Sequence, residues 1–245
     1  MDRRTIVKNA PLILSSATAF GSQANSAVRF GIIGTGGRGQ YVGTLMAKDS
    51  NARITAICDK YPDRIDGAKT KIPGADKATV YRDYQKLLAD PNVDAVLIAT
   101  PVFLHPEHFE AAVLAKKHVY CEKPAGADVA GCKRILKAWE KRDKNKRIQF
   151  GFQQRFSSQY LKARSYLTNG KIGEMKLMMS YWVLGYLPPV KDNPQYLDLP
   201  PDEQKLRRWA SWNKLSGGPI VEQDCHGIDT INWFAKDVHP LSAAT

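Results

Sequence analysis

Twelve consecutive residues, Val28-Arg29-Phe30-Gly31-Ile32-Ile33-Gly34-Thr35-Gly36-Gly37-Arg38-Gly39, constrain this chain more than any other stretch. Val28, Phe30, Ile32 and Ile33 form the nearly continuous apolar run of a strand covered on both faces, as parallel strands are, which predicts a central strand. Gly34, Gly36 and Gly39 then fit G-x-G-x-x-G. In that pattern the first glycine permits a tight turn, the second lets backbone approach a pyrophosphate, and the third lets helix and strand pack closely. A helix over about Arg38 to Ala47 would turn its first N–H groups toward the phosphates. Three glycines at these offsets arise easily in a chain that holds 18, so their position carries the argument. A second apolar run, Ile54-Thr55-Ala56-Ile57-Cys58, ends in Asp59, twenty residues beyond Gly39. A carboxylate there can accept hydrogen bonds from an adenosine ribose. Residues Gly34, Thr35, Gly36, Gly37, Arg38 and Gly39, with Asp59, are therefore the candidate dinucleotide site, the competing reading being an ordinary glycine turn beside a surface aspartate. Asp59 favours NAD, while Lys60 and Arg64 close by leave NADP open.

From residue 28 onward strands and helices alternate. A helix from Pro62 to about Thr70 precedes a short strand at Thr79-Val80-Tyr81, and Asp83 reads as the N-cap of a helix ending near Ala89. Asp94 to Thr100 is the next buried strand, closed by Pro101. A helix from about Pro106 to Lys117, the strand His118 to Cys121, a helix from Asp128 to Lys141 and a sixth strand at Arg147 to Gly151 follow. This alternation predicts an α/β fold with a doubly wound parallel sheet, of the Rossmann kind. Its domain would span 28–150.

The net charge of +12 and pI near 9.5 raise the question of nucleic acid. The positive residues gather in Lys133-Arg134, Lys137 and 141–147, which read as the solvated face and end of one helix without interleaved aromatics, so no nucleic-acid partner is expected. Cys58, Cys121, Cys132 and Cys225 form no C-x-x-C pair, which predicts buried thiols and neither zinc nor a disulfide framework. Residues 1–27 fall outside the fold. Arg3-Arg4, followed by Ile6, Lys8 and a mildly apolar run to Phe20, resembles a twin-arginine export signal, which implies a periplasmic or otherwise exported protein; a chance arginine pair would leave it cytoplasmic. The apolar run is too short for a membrane span, so no stable membrane insertion is expected.

Two loops fall beyond the carboxyl ends of strands, where such sheets keep their chemistry: Thr100-Pro101-Val102-Phe103-Leu104-His105 and Glu122-Lys123-Pro124. A lysine directly after a buried strand can hydrogen-bond a substrate hydroxyl and lower the cost of its proton loss as hydride departs. Together, Gly34 to Gly39, Asp59, Thr100-Pro101 with His105, and Lys117-His118-Val119-Tyr120-Cys121-Glu122-Lys123-Pro124 resemble the Gfo/Idh/MocA family of oxidoreductases. The resemblance implies that Thr100, Pro101, His105, Glu122 and Lys123 bind the cofactor, with Glu122-Lys123-Pro124 at the nicotinamide end and Lys123 the proton-transfer or orienting group. Lys116 stands where the family often has glycine.

Residues 151–245 continue the resemblance as a partial α+β substrate and dimerisation domain with an open sheet. Gln153-Gln154-Arg155-Phe156, and Gly170 to Glu174 before an extended stretch to about Gly185, look like the family's crossover, which makes Arg155 a substrate candidate. The aromatics Tyr186, Tyr196, Trp209 and Trp212 around the proline-rich loop could stack on a sugar ring. Glu222, His226 and Asp229, if helical from about Glu222, share one face. This segment resembles the family's D-x-G-x-H-x-x-D, whose histidine commonly contacts the reacting hydroxyl, so His226 is the candidate base; Glu222 and Asp224 depart from the pattern. No further ligand accompanies this face, so no metal is expected. The family runs on beyond residue 245, which suggests a truncated chain with possible pairing of copies through the C-terminal sheet. The implied activity is hydride transfer between NAD(P) and a secondary hydroxyl of a sugar or polyol, with Lys123 and His226 catalytic and Arg155 and Glu222 as substrate contacts. Three alternatives are an NAD-dependent glycosidase working by transient oxidation and elimination, a member type resembling glucose–fructose oxidoreductase that keeps its nucleotide bound, and a nucleotide-binding fragment without turnover.

Overall fold

The computed structural model describes residues 27–49, 51–183, 196–238 and 240–242. The leader expected over residues 1–27 lies outside them except for Ala27, as do Tyr186, Pro188, Pro189, Pro194 and His239. The chain divides into two compact units, residues 1–99 and 100–245.

The first unit contains β1 (Val28–Ile33), α1 (Gly37–Ala47), β2 (Ala52–Cys58), α2 (Pro62–Lys71), β3 (Thr79–Tyr81), α3 (Tyr84–Ala89) and β4 (Ala95–Ile98). Its strands are all parallel and run in the order β3-β2-β1-β4, with β1 inside as its apolar run predicts. Ile32, Ile33, Ile57, Val96, Leu97 and Ile98 are fully buried, each contributing about 1.5–3 kcal/mol relative to exposure. Burial in β1 begins only at Gly31, however, and Val28 is exposed. The first half of β1 instead fixes its register through a charge pair. The Arg29 N–H, Nε and Nη2 donate to the Asp94 carboxylate at 3.0, 2.8 and 2.7 Å, tying the start of β1 to the residue before β4. Asp83 caps α3 as expected, accepting from the Gln85 N–H at 2.8 Å. Because β2 and β3 lie to one side of β1 and β4 to the other, the winding reverses at β1. Ligands of open parallel sheets bind at such a reversal, beyond the carboxyl ends of the strands. Gly34 starts there.

The second unit contains α4 (His105–Leu114), β5 (His118–Cys121), α5 (Val129–Glu140), β6 (Ile148–Phe150), α6 (Ser158–Thr168), α7 (Pro201–Arg207), α8 (Asn213–Ser216) and α9 (Cys225–Phe234). β5 and β6 are parallel, with Val119 opposite Ile148 and Cys121 opposite Phe150. Phe109 of α4 stacks on Phe150 with ring centres 5.3 Å apart. Asp128 caps α5 by accepting from the Gly131 N–H at 2.7 Å. Lys116, between α4 and β5, has φ of 54°, a left-handed conformation that costs a side-chain-bearing residue about 1–2 kcal/mol. That is the physical reason a glycine suits this position. Six strands alternating with helices make the chain a doubly wound α/β protein.

Among the described residues no strand follows Phe150. The extended stretch expected after Gly173 has no regular structure over 174–183, because a strand exists only where a neighbour completes its backbone hydrogen bonds. Its alternate residues Met175, Leu177, Met179, Tyr181 and Val183 are exposed. Lys133, Arg134 and Lys137 form the solvated face of α5, as predicted. The cysteine reading needs correction: Cys58 and Cys121 are buried, but Cys132 is exposed on α5 and Cys225 is half-buried. All four are free. No helix among the described residues is long and apolar enough to cross a membrane.

Candidate functional site

In the first unit the glycine turn is built by backbone contacts. The Gly34 N–H donates to the Cys58 carbonyl at 2.8 Å, and the φ of 90° at Gly34 is the left-handed turn its position requires. Gly39 lies so close beneath that a Cβ on it would stand 2.0 Å from the Gly34 carbonyl oxygen. Gly36 is different. Among the described residues a Cβ there would meet nothing within 4 Å, and Gly36 begins α1 with no side chain of its own to cap it and no acidic residue in the first turn. The third glycine thus serves packing, while the second leaves open space, among the described residues, at the N-terminal end of α1. That space at a helix N-terminus fits a dinucleotide pyrophosphate.

Asp59 has a second task that its spacing did not show. Its Oδ2 accepts from the Thr35 N–H at 2.7 Å and the Thr35 hydroxyl at 3.2 Å, and its Oδ1 accepts from the Tyr61 N–H at 3.0 Å. A carboxylate has about four acceptor positions, so three go to holding the turn and one is left for a ribose hydroxyl. Thr35 is fully buried, and its carbonyl accepts from the buried Gln40 amide at 2.8 Å. Gln40 escaped the sequence reading; its only signal is an amide immediately after the third glycine, on the packed side of a helix. Gly37 and Arg38 are exposed at the start of α1, with the Arg38 guanidinium 5.5 Å from the Tyr41 ring centre. Lys60 lies over Tyr61 at 5.6 Å, and Arg64 sits 3.7 Å from Asp63.

In the second unit, Thr100, Pro101 and His105 form one knot with the loop after β5. His105 Nε2 faces the Thr100 carbonyl at 2.8 Å and its Nδ1 faces the Pro124 carbonyl at 2.6 Å. Pro101 starts the short 3-10 turn Val102–Leu104 that leads into α4. The Thr100 hydroxyl pairs with His108 Nδ1 at 3.0 Å. Burial holds the His105 imidazole below its ordinary value, although the two carbonyls favour its charged form. Burial likewise pushes His108 down to about 4, the nearby Glu107 opposing. An unfolded histidine binds its proton near pH 6.5, so between that pH and about 4 the unfolded chain holds the extra proton and the folded one does not. Stability is therefore complete above about pH 6.5 and falls as the pH drops toward 4, by about 3 kcal/mol from His108 alone. Urea unfolding midpoints measured across this range will show that slope, and His108→Asn will flatten it; equal slopes in the two proteins would remove His108 as the cause.

Lys123 and Glu222, far apart in the chain, meet in this unit. Lys123 Nζ donates to the Glu222 backbone carbonyl at 2.5 Å and stands 3.8 Å from Glu222 Oε2, both side chains being largely buried. The remaining carboxylate oxygen, Oε1, is buried with no hydrogen-bond partner among the described residues. Burial pushes the Glu222 carboxyl up and the Lys123 charge pulls it back. Glu222 is not in an α-helix as the spacing suggested. Ile220–Asp224 is a π-helical turn, and α9 starts at Cys225. Such turns concentrate at functional sites. His226, in the first turn of α9, is 4% exposed and lies face to face with Trp182, ring centres 4.6 Å apart at 17°, and edge-on to Phe152 at 6.1 Å. Glu122 is buried beside Lys123. Burial pushes the Cys225 thiol up to about 11 and Cys58 up to about 12, so neither offers a thiolate near neutral pH.

Arg155 meets α9 at Asp229. Its Nε and Nη2 grip the Asp229 carboxylate at 2.9 and 2.8 Å, Nη2 also reaches Asp237 at 3.2 Å, and the guanidinium lies 5.6 Å from the Trp233 ring centre. Asp229, three residues after His226 in α9, is thus the carboxylate that pairs with Arg155. Of the aromatics named for sugar stacking, Trp212 carries Lys205 Nζ at 5.0 Å and Tyr196 carries Arg207 at 5.0 Å. The aromatics at the histidine are Trp182 and Phe152, which no motif marks.

Comparison with known proteins agrees with the fold. Residues 28–152 match the family described as oxidoreductase, NAD-binding Rossmann fold. The inositol 2-dehydrogenase/D-chiro-inositol 3-dehydrogenase of Shouchella clausii is 39% identical over 148 residues, covering 60% of this chain and 42% of that protein. Inositol 2-dehydrogenase 2 of Saccharopolyspora erythraea is 32% identical over 201 residues, covering 81% of this chain and 57% of its own. Among solved structures, scyllo-inositol dehydrogenase from Lactobacillus casei, with bound NAD(H) and scyllo-inositol, aligns with a TM-score of 0.66 at 28% identity over 85% of this chain and 56% of that one. The chain spans about half the length of these relatives. With the family match covering residues 28–152 of its 245, the chain belongs to the Gfo/Idh/MocA oxidoreductases and carries their NAD-binding Rossmann fold.

Proposed function

We propose that this chain provides the nucleotide-binding part and the proton-handling residues of an NAD-dependent dehydrogenase that oxidises a secondary hydroxyl of a cyclic polyol of the inositol type. The observation that carries the reading is the Lys123–Glu222 contact, which brings a lysine after β5 to the turn directly before the buried His226. The relatives named for inositol dehydrogenation supply the substrate class.

The open face at Gly36, the uncapped start of α1 and the remaining acceptor of Asp59 would hold the pyrophosphate and ribose of NAD. When bound, NAD supplies a hydride acceptor. The residues of this chain manage the other half of the reaction. Lys123 donates one N–H to the Glu222 carbonyl and can donate a further N–H to a substrate hydroxyl oxygen, stabilising negative charge there as the O–H bond breaks. His226 takes that proton, the C–H pair leaves as hydride, and the carbon–oxygen double bond forms. Glu222 offsets the lysine charge, and its Oε1 can accept from a neighbouring hydroxyl.

Incubation with NAD and a panel of inositols and open-chain polyols, followed by absorbance of the reduced nicotinamide, will give steady NADH formation with at least one cyclic polyol. Release of the aryl alcohol from aryl glycosides without net NADH would overturn this reading in favour of a glycosidase. Nucleotide binding with neither reaction would leave a binding fragment.

A further inference from the structure

Trp182 touches both parts of the proposed catalytic segment at once. Its indole face stacks on the His226 imidazole, ring centres 4.6 Å apart at 17°, within the range of favourable aromatic pairs. Its Nε1–H donates to Gln223 Oε1 at 3.1 Å, and Gln223 follows Glu222 in the π-helical turn. One ring therefore spans the junction between Ile220–Asp224 and α9. The backbone on either side agrees with a close approach. Ser180 Oγ stands 2.6 Å from where a Cβ on Gly227 would lie, so the segment before Trp182 seats against α9 at the residue after His226. Phe152 completes the enclosure of the imidazole from its edge.

The sequence neighbourhood makes this unusual. Residues 174–183 have no regular structure, and the alternate side chains from Met175 to Val183 face outward. The sheet does not hold Trp182 in place; its stack and its hydrogen bond do. π-helical turns are rare and occur mostly as single turns within α-helices, frequently at functional sites.

We propose that Trp182 is a positioning residue for the proton-handling cluster, setting the plane of the His226 imidazole and bracing the turn that presents Glu222 to Lys123. The proposal rests on the dehydrogenase reading for its catalytic consequence but not for its geometry. Trp182 touches no reacting atom, so its removal acts on orientation. Misplacing a reacting group by about an ångström can cost on the order of a hundredfold in rate.

The test compares Trp182→Leu, which removes the aromatic face and the N–H, with Trp182→Phe, which keeps a stacking face and loses only the N–H. With the polyol that gives NADH, the leucine variant will lower kcat by about 10- to 100-fold at nearly constant KM, and the phenylalanine variant will recover most of the loss. Independently of turnover, the ring protons of His226, identified in isotope-labelled protein by their disappearance in His226→Gln, will resonate upfield in the wild type because of the indole ring current. They will move back in the leucine variant and stay largely shifted in the phenylalanine variant. Unchanged kcat in the leucine variant, or a fall in kcat without any movement of the His226 resonance, would overturn the proposal. If the wild type oxidises no polyol, the dehydrogenase reading fails and the resonance alone decides the placement of His226 by Trp182. Thermal melting of the two variants guards against a trivial loss of fold, which the phenylalanine variant is chosen to avoid.

Discussion

Lys123→Met will reduce polyol oxidation by at least about a thousandfold while NAD binding, measured by calorimetric titration, changes no more than a few-fold. The magnitude follows from two losses at one atom. The ammonium that would meet the alkoxide-like oxygen is gone, and groups that manage a proton in the transition state are typically worth about 10²- to 10⁴-fold. The methionine also leaves the Glu222 carbonyl without its donor and removes the charge that pulls the buried Glu222 carboxyl down. With burial then unopposed, that carboxyl moves further up. NAD binding is spared because the glycine turn, Thr35 and Asp59 make their contacts among themselves in the first unit. Turnover persisting at the wild-type rate would remove Lys123 from the mechanism.

Alanine at Gly39 and at Gly36 will have opposite effects, although both belong to one motif. At Gly39 the new Cβ would fall 2.0 Å from a backbone oxygen, which cannot swing aside as a side chain does. Relief requires moving α1 away from the end of β1, at a cost of about 3 kcal/mol or more and a fall in melting temperature of roughly 6–12 °C. At Gly36 the φ of −66° suits alanine and nothing lies within 4 Å, so stability will stay within about 0.5 kcal/mol of the wild type. The methyl would instead occupy the open space assigned to the pyrophosphate, and NAD affinity will drop at least about tenfold. Calorimetric melting and NAD titration of both variants check the pair. A Gly36→Ala protein that binds NAD normally would show that the phosphates lie elsewhere.

Much of the fold was legible because its signals are local. The apolar runs at Ile32-Ile33, Ile54 to Cys58 and Ala95 to Ile98 are short and bounded by glycine, proline or acidic residues, and a fully buried parallel strand needs little else. Asp83 announced its cap by residue type and place. The extended stretch after Gly173 came only from the family resemblance, and over 174–183 it forms no strand, because a strand needs a neighbour to complete its backbone hydrogen bonds. Spacing also placed Asp229 with Glu222 and His226. It could not register that Arg155, 74 residues earlier, claims that carboxylate, nor that a π-helical turn carries Glu222.

By itself, then, the sequence determined the nucleotide turn, its flanking strands and helices, and the identities of the lysine, glutamate and histidine, because chain chemistry and period act over a few residues. The tertiary structure alone decided how those groups are used. It put Asp59 to work on Thr35, sent Arg155 to Asp229, brought Lys123 to a carbonyl 99 residues away and laid Trp182 on His226. Contacts of that range depend on how whole elements pack, and no local pattern of residues encodes them.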